Sequence, residues 1–238
     1  MVVIKSFYRM LIRARRTAFE AIGSARHSRM ALYDLDRKLE RHLDFDGGVF
    51  VEAGANDGVK QSNTYYFEKC RGWTGLLVEP EPGLAAACRR NRRARVAQAA
   101  LVAEEVAGAT VVLNLAGLMS TVDGALGDAA ATARHVETAL AVQPELTGTR
   151  RVAVPARTLS ALLDEAGFGR PADLLSLDVE GAEAAALRGI DYARHAPRFI
   201  CVEARDEAAI AAVLEPRYRM IEVLTDVGTH RDLLYARL

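Results

Sequence analysis

The sequence predicts an α/β domain with a mostly parallel sheet, helices on both faces of that sheet and an antiparallel hairpin at its carboxyl end. From about residue 48, short apolar runs typical of buried strands alternate with segments of helical pattern. Such alternation builds a parallel sheet that is covered on both faces. The last stretch, YRMIEVLTDVGTHRDLLYARL, instead contains two strand patterns joined by a short turn at residues 226–229. This stretch therefore predicts a hairpin on a sheet edge.

Length and composition set the broad class of protein. The chain has 238 residues, half of them hydrophobic, which is enough to bury the core of one large domain. Its 31 basic and 31 acidic residues balance, so no net field attracts nucleic acid, which we do not expect as a partner. Cys70, Cys88 and Cys201 lie far apart without a CxxC or Cys/His cluster. This spacing argues against disulfides and structural zinc and favours a cytoplasmic location.

Residues 1–45 form a predicted N-terminal segment that is basic and helical. Val3, Phe7, Met10 and Leu11 can share one face of a helix, and basic residues dominate the rest of its first half. The apolar residues are interrupted too often for a signal peptide or a transmembrane helix. We expect this helix to dock on the core or on a second subunit of a homo-oligomer. Weak contact with a membrane surface or an acidic ligand is the alternative.

The remaining residues, 46–238, follow in strand and helix patterns that we take as one domain. VFVEAG is followed by the helical SNTYYFEKCRG, TGLLVEP by GLAAACRRNR, and RVAQAALV provides a third strand. After a middle segment come DLLSLDVEG, AEAAALRGI, RFICVEA and EAAIAAVLEP. The middle segment, residues 117–150, is rich in Ala, Gly and Thr and has no strand period. We expect it to be a functional lid or a mobile surface loop, with a helix over Thr132–Val142.

The stretch VFVEAGANDG ends a strand on a glutamate and then turns through two glycines. Dinucleotide-binding loops require Gly-x-Gly-x-x-Gly, and Asn56 stands in place of the second glycine, so the fit to a nicotinamide dinucleotide is poor. A loop of the form acidic-x-Gly-x-x-x-Gly suits a ligand without phosphate, such as S-adenosylmethionine (SAM). In that interpretation Glu52 receives the amino group of SAM, and its methionine chain packs on Gly54 and Gly58.

A second glutamate, Glu79, ends the next strand pattern, TGLLVEP, 25 positions after Gly54. Nucleotide-binding sheets place an acid there that accepts hydrogen bonds from both ribose hydroxyls. Ser62 and Asn63 open the helix after the glycine loop and are candidates to bond the carboxylate of SAM, although a serine in this position also caps a helix without a ligand. Carboxylates also end strands where the chain reaches solvent, but two of them beside one glycine loop favour a cofactor site.

These residues, together with VPARTLSALL and LLSLDVEGAEAAALRGID, resemble the FkbM-type family of SAM-dependent methyltransferases over about residues 48–204. The resemblance implies a class I, Rossmann-like fold with a seven-stranded sheet. It also implies methyl transfer to oxygen, commonly on sugars and other natural-product hydroxyls. Residues 1–45 and 117–150 lie outside the secure match and are where acceptor choice would be encoded. The cofactor positions that the resemblance supports are Glu52, Gly54, Ala55, Asn56, Asp57, Gly58, Glu79, Pro80, Ala100 and Leu101.

Three acids are candidates for the chemistry, because an alcohol is a weak nucleophile and needs a base or a metal. Asp178 is our first choice for the catalytic carboxylate and Glu180 the second, since both follow a strand on the cofactor side of the sheet. Alternatively, Glu180 and Glu183 cap the following helix. Asp178, Glu180 and Glu203 could also hold Mg²⁺, which we favour less because no DN or DD pair follows the last of these strands.

The favoured function is a SAM-dependent O-methyltransferase that acts on a small-molecule or carbohydrate acceptor, including glycolipid precursors. A SAM-binding scaffold without chemistry is one alternative, and a nicotinamide-dependent oxidoreductase is another that Asn56 disfavours. Two histidines are weaker candidates for the base, namely His135 in the middle segment and His230 in the terminal turn.

Overall fold

The computed structural model describes residues 2–106, 108–125, 129–143 and 149–238. The strands in these residues are β1 (Val49–Ala53), β2 (Thr74–Val78), β3 (Arg95–Ala97), β4 (Ala100–Leu101), β5 (Thr110–Leu115), β6 (Thr121–Val122), β7 (Arg150–Arg157), β8 (Leu174–Leu177), β9 (Phe199–Ala204), β10 (Tyr218–Asp226) and β11 (Arg231–Arg237). The α-helices are α1 (Val2–Ala21), α2 (Leu35–Glu40), α3 (Tyr65–Cys70), α4 (Pro82–Asn91), α5 (Ala129–Val142), α6 (Leu159–Ala166), α7 (Glu183–Arg188), α8 (Tyr192–His195) and α9 (Glu207–Leu214).

The central sheet has seven strands in the order β3-β2-β1-β8-β9-β11-β10. Strand β1 pairs in parallel with both β2 and β8, so Phe50 lies opposite Gly75 on one side and Leu174 on the other. From β1 the chain builds outward in one direction through β2 and β3, and in the other direction through β8 and β9. Such a switch opens a crevice at the carboxyl ends of the strands, which is where open α/β sheets bind their ligands.

The two final strands form the antiparallel hairpin that the sequence predicts. Strand β11 inserts between β9 and β10, so that Leu234 lies opposite Cys201 on β9 and Glu222 on β10. The edge of the sheet is therefore β10 and not the last strand of the chain. The predicted α/β fold, with a mostly parallel seven-stranded sheet and a carboxyl-terminal hairpin, is confirmed.

The two-residue period of the strands divides the core between the two faces of the sheet. In β1, Phe50 packs with Phe67 and Trp73 on one face, whereas Val49 and Val51 belong to the cluster on the other. Helices α2, α3 and α4 contribute to the first cluster, and α6, α7 and α9 to the second. Full burial of an apolar side chain of this size stabilises the fold by about 1.5–3 kcal/mol. This core fixes β1, whose carboxyl end opens into the crevice.

Strands β4 to β7 form a second, four-stranded sheet that the sequence analysis did not predict. Strand β7 pairs antiparallel with β5 and in parallel with β4, and Leu113 and Val154 are buried in this sheet. The prediction of one strand over RVAQAALV is wrong, because the run is divided between β3 and β4. After Ala97 accepts a hydrogen bond from the Glu79 amide, the chain leaves the central sheet to pair with β7.

The segments outside the central fold contain the two further helices that the sequence predicts. Helix α1 carries Met10, Leu11 and Ile12, which are about half exposed. Helix α5 covers the predicted Thr132–Val142 and begins three residues earlier. Parts of the proposed lid, residues 126–128 and 144–148, lie outside the described residues. Among the described helices we find none that is long and apolar enough to cross a membrane.

Candidate active site

A cavity with an empty volume of about 840 Å³, part of it open to solvent, lies at the carboxyl ends of β1, β2 and β8. Both catalytic candidates, Asp178 and Glu180, line it. The predicted cofactor residues in its wall are Gly54, Ala55, Asn56, Ser62, Glu79, Pro80, Ala100 and Leu101. The sequence analysis did not select the other lining residues, which are Lys60, Gln61, Val78, Leu84, Ala99, Leu113, Gly117, Ser120, Val122, Val179 and Ala182.

The glycine loop is shaped by close contacts between neighbouring strand ends. Gly54 has a φ of +82°, and a Cβ at this position would overlap the carbonyl oxygen of Asp178. Gly58 has a φ of +78°, and a Cβ there would lie 2.9 Å from Cγ of Arg92. Asn56 also adopts a left-handed conformation, with a φ of +51°. Glycine is needed at the first two positions because any side chain would push the loop away from β8 or from α4.

Glu79 holds the glycine loop through the backbone. Its Oε2 accepts a hydrogen bond of 2.8 Å from the Asn56 amide, and its Oε1 accepts one of 2.9 Å from the Glu81 amide. Burial raises the pKa of Glu79 to about 7, even though these two hydrogen bonds favour the charged form. Each carboxylate oxygen keeps capacity for a further donor, so Glu79 can still accept hydrogen bonds from a ligand in the cavity.

Glu52 lies behind the cavity wall and braces the segment that follows the loop. Its carboxylate accepts hydrogen bonds from Ser62 Oγ (2.8 Å), the Asn63 amide (2.7 Å) and Thr64 Oγ1 (2.6 Å). Arg92 Nη1 lies 3.5 Å from Glu52 Oε2. Direct binding of an amino group by Glu52 stays a prediction, and the structure adds a second role in which Glu52 positions residues 62–64.

Three other predicted cofactor residues, Asp57, Gly58 and Asn63, also lie outside the wall of this cavity. Asp57 Oδ1 accepts hydrogen bonds from the amides of Val59 (2.9 Å) and Lys60 (2.7 Å), which fixes the turn after Asn56. Lys60 in turn lines the cavity. Asp57 therefore shapes the wall through its neighbours, and its predicted contact with the cofactor stays a prediction.

Arg92 is a buried cation that the sequence analysis missed. Its guanidinium donates to the Gly58 carbonyl (2.9 Å), Ser62 Oγ (3.0 Å) and Thr64 Oγ1 (2.9 Å), and Nε lies 3.1 Å from Glu68. These contacts connect α4 to the loop that carries the cofactor residues. In the sequence Arg92 stands in the run RRNRR, where nothing distinguishes it from the arginines around it.

The three predicted acids are brought together at the ends of β8 and β9, with a cation that the sequence analysis missed. Arg205 Nη2 donates to Glu180 Oε2 at 2.7 Å and to Glu203 Oε1 at 2.9 Å. Burial raises the pKa of Glu180 to about 8 and the pKa of Glu203 to about 7, against the opposing charge of Arg205. Burial, followed by the charges of Glu203 and Glu180, raises the pKa of Asp178 well above its usual value.

Glu183, the first residue of α7, holds the turn between β8 and α7. Its Oε1 accepts hydrogen bonds from the amides of Val179 (3.0 Å) and Gly181 (3.1 Å). Glu180 instead has a left-handed backbone, with a φ of +53°, and pairs with Arg205. The capping alternative is therefore wrong for both acids, because the N-cap of α7 is Ala182 without a side-chain hydrogen bond, and Glu180 stays at the cavity.

The two histidines flank this acidic group. His135 Nε2 lies 3.5 Å from Glu180 and 3.0 Å from the Met119 carbonyl oxygen, and His230 Nε2 lies 3.5 Å from Glu203. Burial, and then the charge of Arg205, lowers the pKa of each histidine. In the part of the chain that the structure describes, no group of three or more His, Cys, Asp or Glu side chains is arranged to hold a metal. The Mg²⁺ alternative stays a prediction.

Fold and site together define a methyltransferase of the class I, Rossmann-like type. A family model described as "Methyltransferase FkbM domain" matches residues 52–231. The chain belongs to the FkbM methyltransferase family, which confirms the resemblance drawn from the sequence motifs. The chain therefore contains a methyltransferase domain of this family. No curated protein sequence gives a significant match.

Solved structures with similar folds share little sequence with this chain. A methyltransferase FkbM from Methylobacillus flagellatus KT has a TM-score of 0.47 and 14% identity, over 80% of this chain and 44% of its own. TrmN from Thermus thermophilus has a TM-score of 0.44 and 12% identity, over 87% and 49%. A SAM-dependent methyltransferase from Aquifex aeolicus has a TM-score of 0.41 and 14% identity, over 88% and 92%. The present chain thus spans less than half the length of the first two.

Proposed function

We propose that the protein is a SAM-dependent O-methyltransferase that acts on a hydroxyl group of a small molecule, a sugar or a glycolipid or natural-product precursor. The observation that carries this proposal is the carboxylate of Asp178 in the cavity wall. Its Oδ1 is buried and has no hydrogen-bond partner among the described residues. Buried acceptors without a donor are uncommon in folded proteins, so a ligand is a natural source of the missing donor. A hydroxyl group would supply it.

The residues of the cavity fit SAM. Glu79 offers two carboxylate oxygens to the ribose hydroxyls, and the small side chains of Ala99 and Ala100 leave room for a flat base. Ser62 is the proposed partner of the SAM carboxylate, for which its hydroxyl would have to turn away from Glu52 Oε2. For Glu52 we keep the predicted attraction to the amino group, as an electrostatic effect exerted from behind the loop, because its carboxylate already accepts three hydrogen bonds.

When bound, SAM supplies a methyl group that is activated by the positive charge on its sulfur. The chain must place a hydroxyl oxygen in line with that methyl group and exclude water. Asp178 would take the proton that the acceptor hydroxyl loses when its oxygen receives the methyl group, and SAM would leave as S-adenosylhomocysteine. The raised pKa of Asp178 makes its ionised form a stronger base. Glu180 is the second candidate for this task.

Calorimetry and a transfer assay test the proposal in sequence. We expect SAM and S-adenosylhomocysteine (SAH) to bind and NADH not to bind. Transfer of labelled methyl from SAM to oxygen in a mixture of hydroxylated acceptors, identified by mass spectrometry, would support the O-methyltransferase. Binding of SAH without transfer to any acceptor would favour the scaffold alternative. Methyl groups found only on nitrogen or carbon would refute the proposed chemistry.

Three further predictions belong to this proposal. The free thiols of Cys70, Cys88 and Cys201 support a cytoplasmic location. The balanced charge of the chain supports a small-molecule acceptor in preference to nucleic acid. Residues 1–45 are proposed as a separate N-terminal segment before the domain of residues 46–238. Their association with a second subunit or a membrane surface is an open part of the proposal.

A further inference from the structure

A second cavity, with an empty volume of about 430 Å³, adjoins the cofactor cavity. The two cavities share Gln61 and Asp178 in their walls. Asp178 therefore stands between the space assigned to the cofactor and a separate space on the side of β9 and β11. A methyl acceptor needs such a position, because its hydroxyl must meet both the methyl group and the base.

Two buried acceptor atoms belong to residues in the wall of this second cavity. The Oδ1 atoms of Asp178 and Asn63 have no hydrogen-bond partner among the described residues. Asn63 Nδ2 donates to Ser176 Oγ at 3.0 Å, which orients the amide so that its oxygen remains unpaired. Folded proteins seldom leave such atoms without a donor. Two of them beside one cavity indicate a ligand that supplies hydrogen-bond donors.

The segment before α2 forms another part of the same wall. Tyr33 and Asp34 both adopt left-handed backbone conformations, with φ of +53° and +55°, which are uncommon for residues other than glycine. A backbone bridge joins Ala31 to Gln61 and holds this segment against the end of the glycine loop. Tyr33 lines the cavity while 45% of its surface remains exposed. Its ring is therefore available to a ligand at the mouth of the cavity.

The charges in the wall determine which ligands fit. The wall includes the acids Asp178, Glu203 and Asp232, and none of its described residues is Lys or Arg. An anionic group would meet these acids, and the basic side chain in the described wall, His230, has a pKa that burial and then the charge of Arg205 lower. A cationic group is not required, because Arg205 already pairs with Glu203 at 2.9 Å and burial raises the pKa of Asp178 and of Asp232. Hydroxyl groups supply the missing donors without adding charge.

We infer that this second cavity is the acceptor subsite, and that Asn63 and Tyr33 select a neutral, hydroxyl-rich group and reject anionic forms of the same group. The inference rests on the proposed function and changes the assignment of Asn63, which moves from the cofactor to the acceptor. Asn63 accepts a hydrogen bond from an acceptor hydroxyl, and Tyr33 covers one face of the acceptor. The N-terminal segment thereby becomes part of the site.

Saturation-transfer NMR on the full chain, loaded with SAH, can test this inference with probes that differ in charge. The neutral probes are methyl glucoside, methyl galactoside and myo-inositol, and the charged probes are glucose 6-phosphate and glucosamine. We expect signals from at least one neutral probe, none from the phosphate and a weaker signal from the amine. Asn63→Leu and Tyr33→Ala should each weaken the binding of the neutral probe by about fivefold or more. Asn114→Leu, at an exposed amide in β5, is the matched control and should leave it unchanged.

Several results would overturn the inference. These are no signal from any neutral probe, equal signals from the phosphate, stronger signals from the amine, or neutral-probe binding that neither variant weakens. Circular dichroism verifies that the variants are folded. Tyr33→Phe keeps the aromatic ring, so it should retain probe binding if Tyr33→Ala weakens binding by removing contact area. SAH affinity is measured separately. If the wild-type protein does not bind SAH, the result counts against the proposed function. If it binds SAH but no neutral probe, only the acceptor subsite is refuted.

Discussion

The predicted contact between Glu79 and the ribose can be tested through both a substitution and the pH. Glu79→Ala removes the carboxylate that the ribose hydroxyls would use. A lost hydrogen bond to a charged group costs about 1.5–3 kcal/mol, which is about a 10- to 150-fold loss of SAH affinity. The two backbone amides now bonded to Glu79, those of Asn56 and Glu81, would also lose their acceptor. We therefore expect the loss to lie in the upper part of this range.

The pH dependence follows from the pKa of about 7 for Glu79 in the free protein. The carboxyl group is mostly protonated at pH 6 and mostly ionised at pH 8. If ribose hydroxyls donate to the ionised form, SAH affinity should rise by about tenfold over this interval. Because the pKa is raised above its usual 4.5, ionisation also destabilises the free protein as the pH rises through 7, and bound SAH should offset that loss.

Isothermal titration calorimetry at pH 6 and pH 8 measures both effects. Glu81→Gln is the matched control, because the Glu81 side chain caps α4 through the Leu84 amide and does not line the cavity. At pH 8, where Glu79 is mostly ionised, its SAH affinity should match that of the wild type; at pH 6 it should be higher, because the charge of Glu81 is one cause of the raised pKa of Glu79. A folded Glu79→Ala protein with unchanged SAH affinity, together with a wild type that shows no pH dependence, would refute the assignment of Glu79 to the ribose.

Three further predictions address the rest of the site. Asp178→Asn or Glu180→Gln should lower kcat by about a hundredfold or more and leave SAM affinity within a few fold. Turnover equal to that of the wild type in both variants would remove these acids from the mechanism. Activity that EDTA abolishes and Mg²⁺ restores would indicate a metal in place of the base. Arg92→Met should lower the free energy of unfolding by about 3–5 kcal/mol in urea titrations, because it leaves buried carboxylates unpaired; a change below about 1 kcal/mol would contradict this. If residues 117–150 are a lid, adding acceptor to the SAH-bound protein should protect residues 117–125 and 129–143 from hydrogen exchange. Full protection with SAH alone, or no protection with both ligands, would contradict the lid.

The sequence was sufficient to predict the parts of the site that are tied to strand ends. Glu79 and Asp178 end apolar runs, and the carboxyl ends of parallel strands meet at one edge of a sheet, so sequence position determines their neighbourhood. Gly54 could also be predicted as a site residue, because a glycine between a strand and a turn indicates that another part of the chain approaches the backbone closely. The structure shows the cause of that approach, which is contact with the backbone of Asp178.

Other parts of the site depend on contacts that sequence pattern does not encode. Arg92 differs from its neighbouring arginines only through its buried partners Glu52 and Glu68. The four-stranded sheet was not predicted, because its strands β4 and β6 have two residues each, too few to show a strand period. Tyr33 reaches the second cavity through left-handed backbone angles, and these cannot be predicted from the sequence at a residue that is not glycine.

The contact between Gly54 and Asp178 connects cofactor binding to acceptor activation. The Asp178 amide donates to the Ala53 carbonyl at 3.1 Å, and the Asp178 carbonyl oxygen occupies the space where a side chain on Gly54 would lie. The backbone of the proposed cofactor loop and the backbone of Asp178, the proposed base, are therefore held against each other. Since transfer requires donor, methyl group and acceptor oxygen in line, a fixed distance between these two strand ends gives the geometry that the reaction needs before either ligand binds.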